Sequence, residues 1–233
     1  RGCIPAKTLL HYAHLYSSVS KSPVFGEQSI PVQYEKIIEA KGNVVNKVVG
    51  GIQKLLAAHQ VDVIRGKAFF TNPKRLSLIK EDQSREEIQG NSIVIATGAR
   101  SERDPILKID GEKIIGTEEA LNLKNFPRSL VVIGGGRRGI EFGTFFNSFG
   151  TKVTLIEREA QILPRMDREV SIRLKAILVR QGIKILTNTK VSAIDDSGDL
   201  LILAVEGKKG IEKIEAEKVL FPGTRKGNIE NLN

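Results

Sequence analysis

Three glycines, Gly134, Gly136 and Gly139, match the pattern G-x-G-x-x-G and directly follow the apolar run 130–133. The run predicts a buried strand, and the residues after the glycines have helical spacing. In that setting the first glycine makes a tight turn, the second lets the backbone approach a pyrophosphate, and the third lets helix and strand pack closely. The helix N-terminus adds amide donors and positive potential. Residues 128–157 are therefore predicted to bind a dinucleotide.

Glu157 ends the next predicted strand, at the separation from the glycines where dinucleotide sites carry an acidic residue. A carboxylate there accepts hydrogen bonds from the adenosine ribose hydroxyls and repels a 2′-phosphate. The motif therefore predicts NAD rather than NADP. Arg158 follows directly and offers a partner for a 2′-phosphate, so NADP stays open as an alternative.

Two arginines, Arg137 and Arg138, fill the variable positions of the glycine pattern. One of them can face a phosphate, and Arg137 is counted among the expected cofactor-binding residues. At least one of the pair occupies a position where an apolar side chain normally packs beneath the turn. The sequence alone does not explain this substitution.

Cys3 stands just ahead of a predicted helix, with Lys7 one turn further on. The helix N-terminus and the lysine would both stabilise a thiolate and so make the cysteine reactive. A single cysteine is otherwise more often an inert apolar residue. His11 and His14 lie one turn apart, but without a third ligand we expect helix packing and solvent contact rather than a metal site.

The composition limits the possible partners. The chain has 233 residues, a formal charge of +9, one cysteine, three tyrosines and no tryptophan. Its lysines and arginines are spread over the whole length, without the aromatic residues that would stack nucleic-acid bases. No apolar run is long enough to cross a membrane. We therefore expect neither a nucleic acid nor a membrane as partner, and no disulfide-stapled secreted scaffold.

The chain begins with Arg1 and has its only methionine at 166, so we expect it to be part of a longer protein. A targeting peptide cannot be recognised from such a start. The cytoplasm and the mitochondrial matrix therefore both stay open as compartments.

The elements that position these residues fall into three regions. Apolar spacing predicts two helices within residues 1–60, and a polar linker covers 99–116, with turns at Asp104-Pro105 and Asp110-Gly111. In the third region, 117–222, Asp167 is the predicted N-cap of a second helix that ends at Gly182. The remaining predicted elements are strands at 61–63, 68–70, 76–79, 92–96, 130–133, 152–157, 183–186, 191–194, 200–205 and 218–221, and a helix at 139–149.

Three segments together resemble the flavoprotein disulfide reductases: 2–7 around the cysteine, 95–98 with the sequence Ile-Ala-Thr-Gly, and 134–143 around the glycines. The resemblance covers nearly the whole chain in order. In that family a redox-active cysteine pair, spaced C-x-x-x-x-C, precedes an Ile-Pro-(Ser/Ala)-Lys sequence. Cys3 matches the second cysteine, and the first would lie five residues upstream of it, outside this chain.

The resemblance implies a role for each matching residue. Cys3 would be the thiolate next to the flavin, and Lys7 would lie near the reactive flavin nitrogen and pair with Glu141. The implied catalytic residues are Cys3, Lys7 and Glu141. The implied cofactor-binding residues are Lys7, Thr97 and Gly98 for FAD, and Gly134, Gly136, Arg137, Gly139 and Glu157 for NAD.

The resemblance also implies the architecture. The expected fold class is α/β, with two nucleotide-binding Rossmann-like domains. Residues 1–116 would be an incomplete FAD-binding domain, 117–220 a whole NAD-binding domain, and 221–233 the start of the return to the FAD domain. The FAD fingerprint and the C-terminal interface domain, with its His-Glu pair, would lie outside the chain, so the chain alone is expected to be inactive.

Within the family, the sequence 3–16 and the acid at Glu157 are most similar to dihydrolipoamide dehydrogenase. The implied reaction passes electrons from a dithiol through a redox-active disulfide and FAD to NAD. A small dithiol or a lipoyl-bearing protein domain would be the substrate, and the parent protein would be a homodimer. The alternatives are a non-catalytic or degenerate dinucleotide-binding homologue and an NADPH-dependent disulfide or mercuric reductase.

Two departures from the family pattern support the degenerate alternative. The arginines in the glycine loop are one. The other is the segment 222–228, which reads Pro-Gly-Thr-Arg-Lys-Gly-Asn where the family usually reads Ala-Thr-Gly-Arg-Lys-Pro-Asn. The turn in that segment is therefore expected to be altered.

Overall fold

The computed structural model describes residues 2–24, 30–101, 107–208, 210–230 and 232. The chain forms two compact units. Unit 1 comprises 1–46 and 103–223, and unit 2 comprises 47–102 and 224–233.

The described residues form helices and strands in the following order along the chain. The helices are α1 Cys3–Ser20, α2 Tyr34–Ala58, α3 Thr117–Ala120, α4 Arg137–Ser148 and α5 Arg168–Arg180. The strands are β1 Gly66–Asn72, β2 Arg75–Lys80, β3 Arg85–Gln89, β4 Ala99–Ser101, β5 Ile114–Ile115, β6 Ser129–Ile133, β7 Lys152–Ile156, β8 Lys184–Leu186, β9 Lys190–Asp195, β10 Leu201–Gly207, β11 Gly210–Ala216, β12 Lys218–Leu220 and β13 Arg225–Gly227.

Unit 1 is built on a five-stranded sheet with the order β5-β12-β6-β7-β8, in which every pair is parallel. Parallel strands are covered on both faces, which explains why β6 is a continuous apolar run whose Val131 and Val132 are both buried. The carboxyl ends of β12, β6 and β7 lie side by side at one edge of this sheet. That edge is where open α/β sheets bind ligands.

Two apolar cores hold this sheet in place. On one face α1 packs against α4, and a cluster of aromatic rings that includes Phe126, Phe145 and Phe146 fills the space. On the other face lies the antiparallel sheet β9–β11, whose Leu201 and Leu203 are fully buried. The sequence prediction of an α/β fold is confirmed.

Both predicted ends of α5 are confirmed. Asp167 accepts hydrogen bonds from the backbone amides of Glu169 and Val170, as an N-cap does. Gly182 follows the helix with a φ of +95°, a conformation that glycine adopts without steric cost. The carboxylate of Asp110 likewise accepts amide hydrogen bonds within its predicted turn.

Unit 2 contains the antiparallel sheet β1-β2-β3 and the two-stranded ribbon β4–β13. The strands predicted at 61–63 and 92–96 are wrong, since neither segment is a strand in the structure. Val63 and Val94 are 67% and 87% exposed. An apolar run becomes a parallel strand only beside other strands, and within the described part of the chain none pairs with these segments.

Five strands, β3, β4, β5, β11 and β13, were not predicted, and two of them, β4 and β5, lie within the segment 99–116 that was predicted to be a linker. β3 has the sequence Arg-Glu-Glu-Ile-Gln, which lacks an apolar alternation, and it is a strand because its backbone pairs with β2. The predicted turn at Asp104-Pro105 lies outside the described residues.

The compact units differ from the predicted domain division, because residues 2–24 and the first half of α2 belong to unit 1. The predicted boundaries, 1–116, 117–220 and 221–233, concern which cofactor each part binds. That division stays a prediction.

Candidate functional site

The glycine turn between β6 and α4 has the geometry that the pattern requires. Gly134 has a φ of +117°, and its amide donates to the carbonyl oxygen of Ile156 at 2.8 Å, which ties the turn to β7. A Cβ on Gly139 would lie 1.9 Å from the carbonyl oxygen of Gly134, so no other residue fits there. A Cβ on Gly136 would meet no described atom within 4 Å, which leaves the backbone open to a ligand. The turn therefore fits a pyrophosphate.

The first turn of α4 supplies the donors for such an anion. Gly136 is the N-cap and has no side chain to accept from the helix amides. The first amides of a helix have no partner within the helix, and the helix dipole places positive potential beside them. Arg137 is exposed at this end, next to the turn. Binding of a dinucleotide here stays a prediction, and these residues are the ones that would hold it.

Arg138 points to a different contact. Its side chain is half-buried, and its Nη2 donates to the carbonyl oxygen of Gly223 at 2.6 Å. The sequence analysis placed at least one of the two arginines where an apolar residue normally packs, and the structure shows that the guanidinium of Arg138 reaches the segment after β12.

Glu157 is buried at the carboxyl end of β7, with 7% of its surface exposed. Its Oε2 accepts from the amide of Gly135 at 2.7 Å, and its Oε1 accepts from the amide of Glu159 at 2.9 Å. The carboxylate therefore fixes the glycine turn as well as lining it. A carboxylate has about four acceptor positions, and these amides occupy two of them. The predicted contact of Glu157 with ribose hydroxyls stays a prediction.

Cys3 is the first residue of α1 and is exposed. One turn along the same helix, the Nζ of Lys7 lies 2.5 Å from the Oε1 of Glu141 on α4. The ion pair that the resemblance implied is therefore present. It joins the cysteine helix to the glycine helix, and Glu141 also lines a small apolar pocket together with Leu9 and Phe142.

Thr97 and Gly98 lie in unit 2, where they contact a residue near the end of the chain. The hydroxyl of Thr97 donates to the carbonyl oxygen of Asn228 at 2.6 Å, and the amide of Asn228 donates to the carbonyl oxygen of Gly98 at 3.0 Å. Gly98 has a φ of +77°. Their predicted contact with FAD stays a prediction. Their observed partner is Asn228, in the segment 221–233 near the end of the chain.

An arginine strengthens the contact between these two segments. Both terminal nitrogens of Arg100 donate to the carboxylate of Glu230, and its Nη1 also donates to the Oδ1 of Asn228 at 3.1 Å. The hydrogen bonds from Arg100 lower the pKa of Glu230 to about 2. Sequence reasoning missed these three residues, because their spacing in the chain carries no signal that they meet.

The described residues contain no group of three His, Cys, Asp or Glu side chains that could hold a metal ion. Within the same residues, none of the helices is both long and apolar enough to span a membrane.

Residues 1–231 match the family described as pyridine nucleotide-disulphide oxidoreductase. The chain is similar to dihydrolipoyl dehydrogenase of Geobacillus stearothermophilus, with 33% identity over 233 residues that cover 99% of this chain and 49% of the relative. A dihydrolipoyl dehydrogenase of Acholeplasma laidlawii is 35% identical over 240 residues, which cover 93% of this chain and 70% of the relative. The chain thus spans about half the length of the first of these relatives.

Solved structures agree with this similarity. The HOCl-induced flavoprotein disulfide reductase RclA from Escherichia coli is 30% identical, with a TM-score of 0.78 over 100% of this chain and 48% of that protein. LpdA from Mycobacterium tuberculosis has a TM-score of 0.85 over 99% of this chain and 50% of that protein. At 22% identity, the likeness to LpdA concerns the fold alone.

Proposed function

Because the chain belongs to the pyridine nucleotide-disulphide oxidoreductase family, which implies a flavin-dependent oxidoreductase, we propose that it carries part of the site that passes electrons between a dithiol and NAD. We propose dihydrolipoamide as the dithiol, on the similarity to dihydrolipoyl dehydrogenases. The chain spans about half of the first of these relatives, so this function belongs to the protein that contains all the required segments.

The observation that carries the proposal is the contact between Lys7 and Glu141. Cys3 and Lys7 are on one helix and Glu141 is on the helix that follows the glycine turn, 134 positions from Lys7. A reactive cysteine and a dinucleotide turn are thereby supported by one pair of packed helices. A dinucleotide-binding module without redox function would not need this arrangement.

Each part of the chain has a task in this proposal. The exposed thiol of Cys3, the first residue of α1, is the proposed redox-active group. Lys7 lies one helical turn after Cys3, and its ammonium is paired with the carboxylate of Glu141. FAD and NAD, when bound, supply the two-electron chemistry between thiolate and nicotinamide. The glycine turn and Glu157 orient the NAD.

Two partners follow from the same proposal. A lipoyl group, carried on a small molecule or on a protein domain, would be the electron donor at the cysteine pair. A second copy of the protein would complete a homodimer. The lipoyl substrate and the homodimer are both proposed on the resemblance to the family.

The test uses the native protein purified with any flavin that it carries. We expect a flavin spectrum and NAD-dependent oxidation of dihydrolipoamide. The variant Cys3→Ser should abolish turnover of dihydrolipoamide while NADH still reduces the flavin, because the dinucleotide turn is unchanged. A native protein without flavin, or turnover that persists in Cys3→Ser, would refute the proposal.

A second candidate is a disulfide reductase with another substrate. It is favoured by the similarity to RclA, whose 30% identity is close to that of the dihydrolipoyl dehydrogenases. Turnover with lipoamide should be compared with turnover of other small disulfides in the same preparation. Faster NADH-dependent reduction of a disulfide other than lipoamide would favour the second candidate.

A further inference from the structure

The two departures from the family pattern meet in the structure. Arg138 is one of the two arginines in the glycine pattern, and Pro222-Gly223 stands after β12 where the family usually has Ala-Thr. The Nη2 of Arg138 lies 2.6 Å from the carbonyl oxygen of Gly223. Although they are 85 positions apart, the two substitutions therefore form one contact.

This contact lies at the ligand-binding edge of the parallel sheet. β6 is paired with β12 on one side and with β7 on the other. The glycine turn follows β6, Glu157 follows β7, and Gly223 follows β12. If the adenosine half of a dinucleotide binds over β7 beside Glu157, the second half extends across β6 toward β12. The residues after β12 then border the second half.

Few contacts of its own among the described residues fix the segment after β12, so a hydrogen bond from a neighbouring side chain can determine its position. The amide of Phe221 donates to the carbonyl oxygen of Ile115 at 2.9 Å, which fixes the chain on the β5 side. Pro222 has no amide hydrogen and cannot extend the pairing with β6. Gly223 has a φ of +58° and no side chain that packs. Arg138 holds this segment from the α4 side, with a charged donor on a carbonyl oxygen.

We propose that Arg138 is a positioning residue, which fixes the segment 222–223 beside α4 and so shapes the part of the crevice that receives the nicotinamide half of the dinucleotide. This inference rests on the proposed binding of NAD. It also explains why an arginine stands at this position, because an apolar side chain could not hold a carbonyl oxygen.

The test compares a whole dinucleotide with its adenosine half. In Arg138→Met, which keeps an unbranched apolar stem but removes the donor, we expect the Kd for NADH to rise about tenfold. The Kd for 5′-AMP, which reaches only the β7 side, should stay within about twofold of the wild-type value. Arg138→Lys keeps a charged donor and should recover part of the affinity for NADH. Arg173→Met, on α5, serves as the control and should bind both ligands as the wild type does.

Three results would overturn this inference. One is an unchanged Kd for NADH in Arg138→Met, and another is an equal loss for NADH and 5′-AMP, which would make Arg138 a general support of the glycine turn. The third is a wild-type protein that binds neither ligand, which would also refute the proposed binding of NAD. If circular dichroism shows that Arg138→Met does not fold, Arg138→Gln, which keeps a shorter donor, carries the same comparison.

Discussion

The glycine turn in unit 1 and the Thr97–Gly98 turn in unit 2 both contain a glycine with a positive φ, but the residues around the two turns differ. Gly134 and Gly98 both have positive φ values, +117° and +77°. The first lies between buried strands and a helix, and its close contacts and backbone hydrogen bonds come from within 130–163. The second has exposed neighbours, and its hydroxyl contact reaches Asn228, 131 positions away.

This difference predicts how each turn fails. The glycine turn is fixed by close packing, so a single added methyl group should break it. The Thr97 turn is fixed by exposed hydrogen bonds and by the ion pairs of Glu230 with Arg100 and Lys226, all of which water and salt weaken. The first should respond to changes of side-chain volume, and the second to changes of charge and pH.

The largest effect is expected for Gly139→Ala. The new Cβ would lie 1.9 Å from the carbonyl oxygen of Gly134, and neither backbone can move without displacing the turn. We expect the free energy of unfolding to fall by about 3 kcal/mol and the binding of NADH to be lost. Chemical denaturation and a fluorescence titration with NADH measure the two effects.

Gly143→Ala, one turn further along α4, is the matched control. Its Cβ would lie 3.5 Å from the Cγ1 of Val153, an ordinary contact, and alanine favours the helix. This variant should bind NADH like the wild type. Equal losses in the two variants would show that the turn is not set by close packing.

The next effect is expected for Glu157→Gln. A glutamine keeps one acceptor oxygen but turns an NH₂ group toward a backbone amide, so one buried donor loses its partner. The free energy of unfolding should fall by about 1–3 kcal/mol. Affinity for NADH should fall more than affinity for NADPH, because the repulsion of a 2′-phosphate is also removed. Titrations with both nucleotides measure this.

Glu159→Gln is the control for that change, since its backbone amide still donates to Glu157. Its exposed side chain pairs only with Arg158 among the described contacts, so the preference for NADH should not change. A wild-type protein that prefers NADPH would contradict the role assigned to Glu157.

Sequence reasoning succeeded where the determinants are local. The glycines, the strand before them and the N-cap at Asp167 were all predicted, because each depends on residues within a few positions. It failed for the segment 92–96, because an apolar run becomes a strand only beside partners that no local pattern reveals. It also missed β3, whose charged sequence is held as a strand by backbone pairing.

The same limit applies to the functional residues. The contact between Lys7 and Glu141 was predicted only through the resemblance to a family, since nothing in their spacing brings them together. The contacts of Arg138 with Gly223 and of Arg100 with Glu230 had no such guide. Each of these contacts joins a side chain to a segment that is distant in the sequence. Local patterns in a single sequence do not reveal which distant segments meet in the fold.

A smaller effect is expected for the ion pair between α1 and α4. Lys7 is 62% exposed and Glu141 is 19% exposed at the side chain, so the pair is only partly shielded from water. A double-mutant cycle with Lys7→Met and Glu141→Gln should give a coupling energy of about 0.5–1 kcal/mol. The corresponding cycle for Arg75 and Glu87, whose charged atoms lie 4.0 Å apart and whose side chains are both at least half exposed, should give a smaller coupling. A larger coupling for the second pair would contradict the partial shielding of the first.

The smallest effect is expected in unit 2, for Glu230→Gln. The pKa of Glu230 is lowered to about 2 by Arg100, so its charged form is favoured in the folded state. The stability that it contributes is therefore fully present above the pKa of the unfolded carboxyl and is lost as the pH falls toward 2. The variant should exchange the amide hydrogen of Asn228 faster than the wild type near pH 5. The ratio of the two exchange rates should approach one as the pH falls toward 2, and should also shrink in high salt. Glu86→Gln, which removes an ion pair away from this turn, should leave the exchange of Asn228 unchanged. A ratio that does not depend on pH would show that packing, rather than the Arg100–Glu230 pair, fixes the Thr97 turn, and the contrast with the glycine turn would then disappear.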